Sequence, residues 1–452
     1  MDRPVSYADL SFWHGTSGDL TPRAGLDGDT EADVAIVGGG LTGLWTAWYL
    51  LERDPTLRIV LLEKEIAGFG ASGRNGGWCS ALFPRSTTSL ERTHGRPAAL
   101  EMRRAMINSI DEVGSFSSQW SFDFARGGTI GYARSPVQER AARAEIAEAD
   151  VYGIDDIGWR GRDSVGAAEA LGASFDRNCA SLHPAKLVRG LAVALEARGV
   201  RILEGTEVTN VSSGRVATAR GVVTADRVVV ATEGYTATFP ATRRRILPLY
   251  SLMIATEPLP DAFWDEAQIA HGETFTDYRH LLIYGQRTAD DRFAFGGRGA
   301  RYHWGSAIRP GYDRAPRVFE HLRRTLVDLF PAAADAAVTH RWGGPLGVPR
   351  DWHASVSYDP VTRIGRAGGY VGDGLSTTNL AGRTLADLLT GADTELTRLP
   401  WVGHRSPDWE PEPLRFLGAN AGMLAMAAAD VEERVTRRSS VIAKVMGPLV
   451  GH

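Results

Sequence analysis

ADVAIVGGGLTGLWTAWYLLERDPTLRIVLLEKEIAGFGASGRNGG, residues 32–77, carries the reading that decides the fold. Ala32 to Val37 is a short apolar run of strand type. Gly38, Gly40 and Gly43 follow at once as G-x-G-x-x-G, with Leu41 and Thr42 inside the motif, and Leu44 to Leu51 continues as an apolar helix. Asp54-Pro55 breaks that helix, and Arg58 to Leu62 is a second strand ending in Glu63. The spacing predicts a βαβ unit built for a dinucleotide. Gly38 turns the chain off the strand, Gly40 leaves room for a pyrophosphate, and Gly43 lets the helix approach the strand. The helix N-terminus offers free N–H groups and a positive dipole end to the phosphates. Glu63 stands twenty positions after Gly43, where a carboxylate accepts from both ribose hydroxyls. A carboxylate there argues against a 2′-phosphate.

The next ten residues distinguish among dinucleotides. A nicotinamide-binding unit would continue into another crossover helix. Gly68-Phe69-Gly70-Ala71-Ser72-Gly73-Arg74-Asn75-Gly76-Gly77 instead suits backbone lying against a large flat ligand, the other reading being a flexible surface loop. With this run the sequence resembles the D-amino-acid-oxidase superfamily of FAD-dependent amine oxidoreductases, in particular the branch of gamma-glutamylputrescine and glycine/sarcosine oxidases. The similarity extends from about Ala32 to Gly391, and more loosely over the tail.

The resemblance implies a glutathione-reductase-like, Rossmann-type FAD domain of the α/β class (α+β overall) and a second, mainly antiparallel β-sheet substrate domain. It implies non-covalent FAD in contact with Gly38, Gly40, Leu41, Thr42, Gly43, Glu63 and Lys64, and with the loop residues Gly70, Ala71, Ser72, Gly73, Arg74, Asn75, Gly76 and Gly77. Val208 would lie beside the adenine and Thr232 on an A-T-x-G turn near the dinucleotide. Gly344 and the helix start Gly372, Gly374, Leu375, Ser376 and Thr377 complete the set at the ribityl and pyrimidine end. An ordinary strand–helix turn is the other reading of that last segment.

The chain divides accordingly into an N-terminal arm (1–31), three parts of the FAD domain (32–97, 179–242 and 343–400), two parts of the substrate domain (98–178 and 243–342), and a helical covering (401–452). Phe122 to Ala133 reads as a hairpin around Gly127-Gly128, and Trp78 to Pro97 as loop. From Arg243 to Trp342 strands alternate at period two without a crossover rhythm.

Composition bounds the rest. The 452 residues suffice for two or three domain-sized units. A net charge of −4 gives no pull towards nucleic acid. Cys79 and Cys179 form no metal-ligand spacing or disulfide framework, so a reducing cytoplasm is expected, with no metal. There is no apolar run of membrane-span length and no signal-peptide core.

The chemistry implied by the resemblance is oxidation of an amine: hydride passes from the carbon beside nitrogen to flavin N5, and the imine hydrolyses to an aldehyde or keto product. Molecular oxygen, reduced to hydrogen peroxide, or another acceptor takes the electrons. Trp78, Tyr250, Tyr284 and Trp342 are the candidate substrate-pocket residues, since aromatic faces hold an alkylamine by burial and cation–π attraction; core packing is the alternative for each. His183, His303 and His353 are candidate bases, or else structural histidines. Amino-acid oxidases of the superfamily often carry an Arg shortly after W-x-G, whereas Trp342-Gly343-Gly344-Pro345-Leu346 has none before Arg350. An amine is therefore expected over an alpha-amino acid, with Arg298, Arg301 or Arg350 as candidates to restore carboxylate binding. Only three of the 50 basic residues are Lys (Lys64, Lys186 and Lys444), and none falls where sarcosine-oxidase-like relatives place an oxygen-activating Lys. Arg298 or Arg301 could supply that charge; otherwise the enzyme is an amino-acid or amine dehydrogenase. A flavin monooxygenase and a non-catalytic flavin-binding protein are the readings from other classes.

Overall fold

The computed structural model describes residues 6–154, 156–297 and 299–450. Its first sheet runs in the order Ser355–Asp359, Ile364–Gly368, Gly221–Val230, Thr30–Val37, Ile59–Leu62, Arg201–Leu203. All pairings are parallel except that of the edge strand Ser355–Asp359. Val208–Ser212 and Arg215–Thr218 extend Gly221–Val230 as an antiparallel meander. The central strand is buried on both faces, which is why Val34, Ala35, Ile36 and Val37 form an unbroken apolar run instead of an alternation.

Helix Leu41–Arg53 packs along helix Gly374–Thr390. Gly382 sets their separation, since a Cβ there would sit 2.5 Å from Trp45 Cβ; Gly43 lets its helix lie against the preceding turn, a Cβ there sitting 2.2 Å from Gly38 O. Gly38 itself has φ +109°, a turn that L side chains rarely adopt, and ends the first strand.

The second sheet runs Val338–Val348, Leu247–Thr256, Phe293–Gly297, Ile283–Arg287, Thr274–Asp277, Thr129–Ala133, Gly172–Asp176, Ile157–Gly161. It is antiparallel apart from the pairing of Thr274–Asp277 with Thr129–Ala133. Its core is aromatic. Phe293 stacks on Phe330 at 5.2 Å, and Phe275 meets both rings edge-on. Helix Pro316–Leu329 covers this core with Phe319, Leu322, Leu326 and Leu329. The α/β class with a second, mainly antiparallel sheet is thus the architecture found.

Two local expectations are corrected, and two strands are added. The segment before Thr129 is not a hairpin strand; Ala125 only bridges Ser181, and the strand begins at Thr129. Residues 78–97 are not all loop: Trp78–Ser80 pairs with Cys179–Ser181, and Thr87–His94 is a helix capped by Ser86, whose hydroxyl accepts from Ser89 N. Strands Ile157–Gly161 and Gly172–Asp176 escape a periodicity reading because three of their ten residues are Gly. Pairing at the sheet edge forms them in spite of their propensity.

The tail forms helices Leu414–Thr436 and Val441–Val450. No helix among the described residues is long and apolar enough to cross a membrane.

Candidate active site

Both sheets and both packed helices open onto one cavity of about 1180 Å³. At one end it is lined by Tyr7, Lys64, Glu207 and Val208, and at the other by Trp78, Tyr284, Tyr278 and Glu145. Between these ends lie the N-termini of Leu41–Arg53 and Gly374–Thr390, joined by a 3.0 Å hydrogen bond between Thr42 Oγ1 and Tyr370 Oη. Two helix dipoles therefore present their positive ends to one space.

The cavity fits a dinucleotide. Gly40 is extended, with φ −81°, a conformation open to any residue, and a Cβ there would crowd only the Ser72 hydroxyl, at 2.9 Å. The open side is the cavity. Glu63 follows the second strand as read from the sequence. Its Oε2 accepts from Gly39 N at 2.7 Å, and its Oε1 from Glu65 N at 3.0 Å. Burial pushes its pKa up to about 7, against the opposing effect of those two N–H donors. Lys64 is exposed and pairs with Glu207 at 2.7 Å.

The Gly68–Gly77 segment is an ordered wall. Ala71–Gly73 is a 3-10 turn. Asn75 Nδ2 donates to Ala71 O and Ser72 O, and Asn75 Oδ1 accepts from Gly77 N at 2.8 Å. Ser72 Oγ accepts from Leu41 N at 2.9 Å, tying the wall to the first helix. Trp13 Nε1 donates to Asn75 O, Trp342 Nε1 to Arg74 O and Gln286 Nε2 to Gly76 O. Arg74 is buried, with its guanidinium donating to Gly343 O at 3.0 Å and Tyr235 Oη at 3.0 Å, and pairing with Asp313 at 3.2 Å.

Of the residues read from the sequence, Gly38, Gly40, Leu41, Thr42, Glu63, Lys64, Gly70, Ala71, Ser72, Arg74, Asn75, Gly76, Val208, Thr232, Gly344, Gly372, Gly374 and Leu375 line the cavity. Gly43, Gly73, Gly77, Ser376 and Thr377 are not among the lining residues. Gly73 abuts His14 and Gly77 abuts Gln286; Ser376 bonds to Ser80 O, and Thr377 donates to Asp373 O. Ser376 and Thr377 therefore secure the second helix and do not face the cavity.

Trp78, Tyr250, Tyr284 and Trp342 also line it. Trp78 and Tyr284 meet edge to face at 6.4 Å; Trp78 Nε1 donates to Gly285 O, and Tyr284 Oη bonds to Ser251 Oγ at 2.7 Å. Trp342 is 2% exposed and packs edge-on to Trp13, so it supports the wall more than it shapes a pocket.

None of the candidate bases lines the cavity. His183 caps helix Pro184–Ala197, its Nδ1 accepting from Lys186 N; burial, then the Lys186 charge, lower its pKa to about 4. His303 stacks on Tyr312 at 3.5 Å and His353 on His404 at 3.9 Å. Arg298 lies outside the described residues. Arg301 and Arg350 do not line the cavity; Arg350 pairs with Glu410 at 3.0 Å. Arg309 and Arg314, on the loop ahead of helix Pro316–Leu329, and Arg341 do line it. Lys186 pairs with Asp123 at 2.8 Å, away from the cavity.

Sequence reading missed Glu233, Tyr235, Tyr370, Asp313 and Tyr7. Glu233 is the variable residue of the A-T-x-G turn, and its carboxylate accepts from the backbone N–H groups of Gly347, Gly369 and Tyr370. Tyr7, in the N-terminal arm, donates to Glu65 Oε2 at 3.1 Å. Burial and the carboxylates around it raise its pKa to about 12.

Comparison with known proteins agrees with this geometry. A probable oxidoreductase, OrdL, of Rhizobium meliloti is 30% identical over 392 residues, covering 83% of this chain and 86% of that protein. The gamma-glutamylputrescine oxidoreductase of Escherichia coli is 28% identical over 417 residues, 88% of this chain and 94% of that one. Among solved structures, glycine oxidase from Geobacillus kaustophilus superposes with a TM-score of 0.69 at 21% identity, covering 83% of this chain and 99% of that one. The family model described as FAD dependent oxidoreductase (DAO) matches residues 33–388, and the chain belongs to that family of FAD-dependent enzymes.

Proposed function

We propose that this oxidoreductase oxidises a primary or secondary amine at its C–N bond, giving an imine that hydrolyses to an aldehyde or keto product, and that molecular oxygen is the electron acceptor, yielding hydrogen peroxide. FAD, when bound, supplies the hydride acceptor. The observation that carries the amine reading is the aromatic part of the cavity beside the Gly68–Gly77 loop. Tyr250, Tyr284 and Trp78 line it, and the chain from Trp342 to Pro349 has no Arg to clamp a carboxylate. Of the arginines that line the cavity, Arg74 has its N–H groups directed to Gly343, Tyr235 and Asp313, Arg341 donates to Val338 O, and Arg309 and Arg314 stand on the loop ahead of helix Pro316–Leu329. A buried carboxylate without a bidentate partner is costly. Aromatic faces hold an alkyl chain by burial and the ammonium form by cation–π attraction. The reacting amine must be neutral, so flavin reduction quickens with pH until that proton is lost.

A dehydrogenase that passes electrons to another acceptor is the second reading. Lys64 is the one lysine lining the cavity among the described residues, and it pairs with Glu207 at the end remote from Trp78 and Tyr284. We place the enzyme in the cytoplasm, a reading supported by two buried cysteines left as free thiols.

Anaerobic stopped-flow reduction with matched pairs, an amine and its alpha-carboxylated analogue, tests the substrate class. The amine of each pair should bleach the flavin faster, and faster bleaching by the amino acids overturns the reading. Admitting oxygen to the reduced enzyme separates oxidase from dehydrogenase by whether peroxide forms at a rate matching turnover.

A further inference from the structure

Helix Leu414–Thr436 presents to solvent a stripe that the domain core does not use. Leu414, Leu417, Ala421, Leu424, Ala428, Val431 and Val435 recur at alternating intervals of three and four, and every one of them is exposed. The leucines and valines among them are 51–75% exposed. The opposite side of the helix, Arg415, Gly422 and Ala429, is the side buried on the body. Sustained three-four spacing is the signature of a seam that packs against another helix. Two charged side chains border it near its C-terminal end: Glu432, held by Ser440 and the backbone of Val441 and Ile442, and the exposed Arg434.

We propose that this stripe is a dimerisation surface, and that its occupant is the same helix of a second copy, running antiparallel about a two-fold axis at Leu424. The register is self-complementary, as an isologous interface requires. Placing Leu424 against its mate sets Ala421 opposite Ala428, Leu417 opposite Val431 and Leu414 opposite Val435. Small residues flank the central leucines, so the backbones approach closely there, and large ones meet large ones at the ends. A stable interface takes about 800 Å² from each partner. The helix, 23 residues long, spans about 35 Å. Two neighbours extend the seam at its ends: Val441 and Val445, exposed on the helix that starts beside Glu432, and Trp304, exposed beside Phe416. A membrane-surface helix carries a broad apolar face bordered by Lys and Arg. This stripe is narrow and is bordered by Gly418, Ala425 and Glu432 on one side and by Asn420, Ala427 and a single Arg434 on the other.

The test uses the full-length, flavin-loaded protein. Sedimentation equilibrium at micromolar concentrations should give twice the chain mass. Leu424→Glu sets two carboxylates against each other on the axis and should halve that mass, with flavin content and circular dichroism unchanged because the side chain is 73% exposed. Leu424→Cys should link to its own copy on mild oxidation or with a short bismaleimide, since the native Cys79 and Cys179 are buried. Leu417→Cys alone should not. A monomer at all concentrations, a dimer that survives Leu424→Glu, linkage through Leu417→Cys in preference to Leu424→Cys, or a monomer that floats with anionic phospholipid vesicles would each overturn the proposal.

Discussion

Glu233 Oε2 accepts a hydrogen bond from Gly347 N at 2.6 Å. The carboxylate stands at the end of strand Gly221–Val230 in the first sheet, and the amide belongs to strand Val338–Val348 in the second. Its other oxygen takes Gly369 N and Tyr370 N, each at 3.2 Å, just before the turn into helix Gly374–Thr390. One acid thus fixes three segments that border the cavity, and burial raises its pKa against the pull of those donors.

Glu233→Ala should therefore loosen the cavity from behind. Each backbone donor left unpaired in a buried place costs about 1–3 kcal/mol. We expect a lower melting temperature and at least tenfold weaker FAD binding, measured by thermal denaturation and by flavin fluorescence titration. Glu233→Gln keeps one good acceptor but turns an NH2 group towards a donor, so its loss should be intermediate. A Gln variant as stable as the parent would remove the carboxylate from this role.

Gly40→Val tests the pyrophosphate reading. The backbone at Gly40 suits any residue, and only the Ser72 hydroxyl lies close to its open side. The variant should fold, with an unchanged far-ultraviolet spectrum, yet purify colourless because the side chain fills the space a phosphate needs. Full flavin content would mean that the dinucleotide lies elsewhere in the cavity.

How far the sequence discloses all this depends on how local each feature is. Gly38, Gly40, Gly43 and Glu63 are legible because strand, turn, helix and acid lie within one supersecondary unit whose spacing is set by backbone geometry. Glu233 is illegible because it occupies the variable place of A-T-x-G, and its partners lie 114 to 137 positions away. The same holds for Arg74 and Asp313, separated by 239 positions. Ser376 and Thr377 match a flavin-binding helix start in type, but the helix turns them to Ser80 and Asp373. Helix Thr87–His94 buries only Ser89 and Leu90, so no apolar period announces it.

FAD should be held without a covalent bond. Cys79 and Cys179 are fully buried in a two-stranded pairing behind the cavity, and neither lines it. Burial pushes the Cys179 thiol up to about 12 and that of Cys79 well above its ordinary value, which disfavours the thiolate that would attack a ring. Acid precipitation should leave the yellow colour in the supernatant; a coloured pellet would point to a tether.

Glu63 should make the flavin-free protein less stable as pH rises. Its folded pKa of about 7 stands above the ordinary value of 4.5, so the folded state holds the proton more tightly than the unfolded chain. The stabilisation from that difference is fully present below about pH 4.5 and is lost progressively as pH rises through about 7. At about 1.4 kcal/mol per pKa unit, the loss is on the order of 3–4 kcal/mol. Glu63→Gln stays neutral, keeps an acceptor for Gly39 N, and should flatten this part of the profile. Other buried acids, Glu233 and Asp277 among them, titrate in parent and variant alike, so the difference between the two urea-denaturation profiles isolates Glu63. We expect the variant to gain on the parent between pH 5 and 8; parallel profiles would show that the carboxylate is already ionised in the folded protein at low pH.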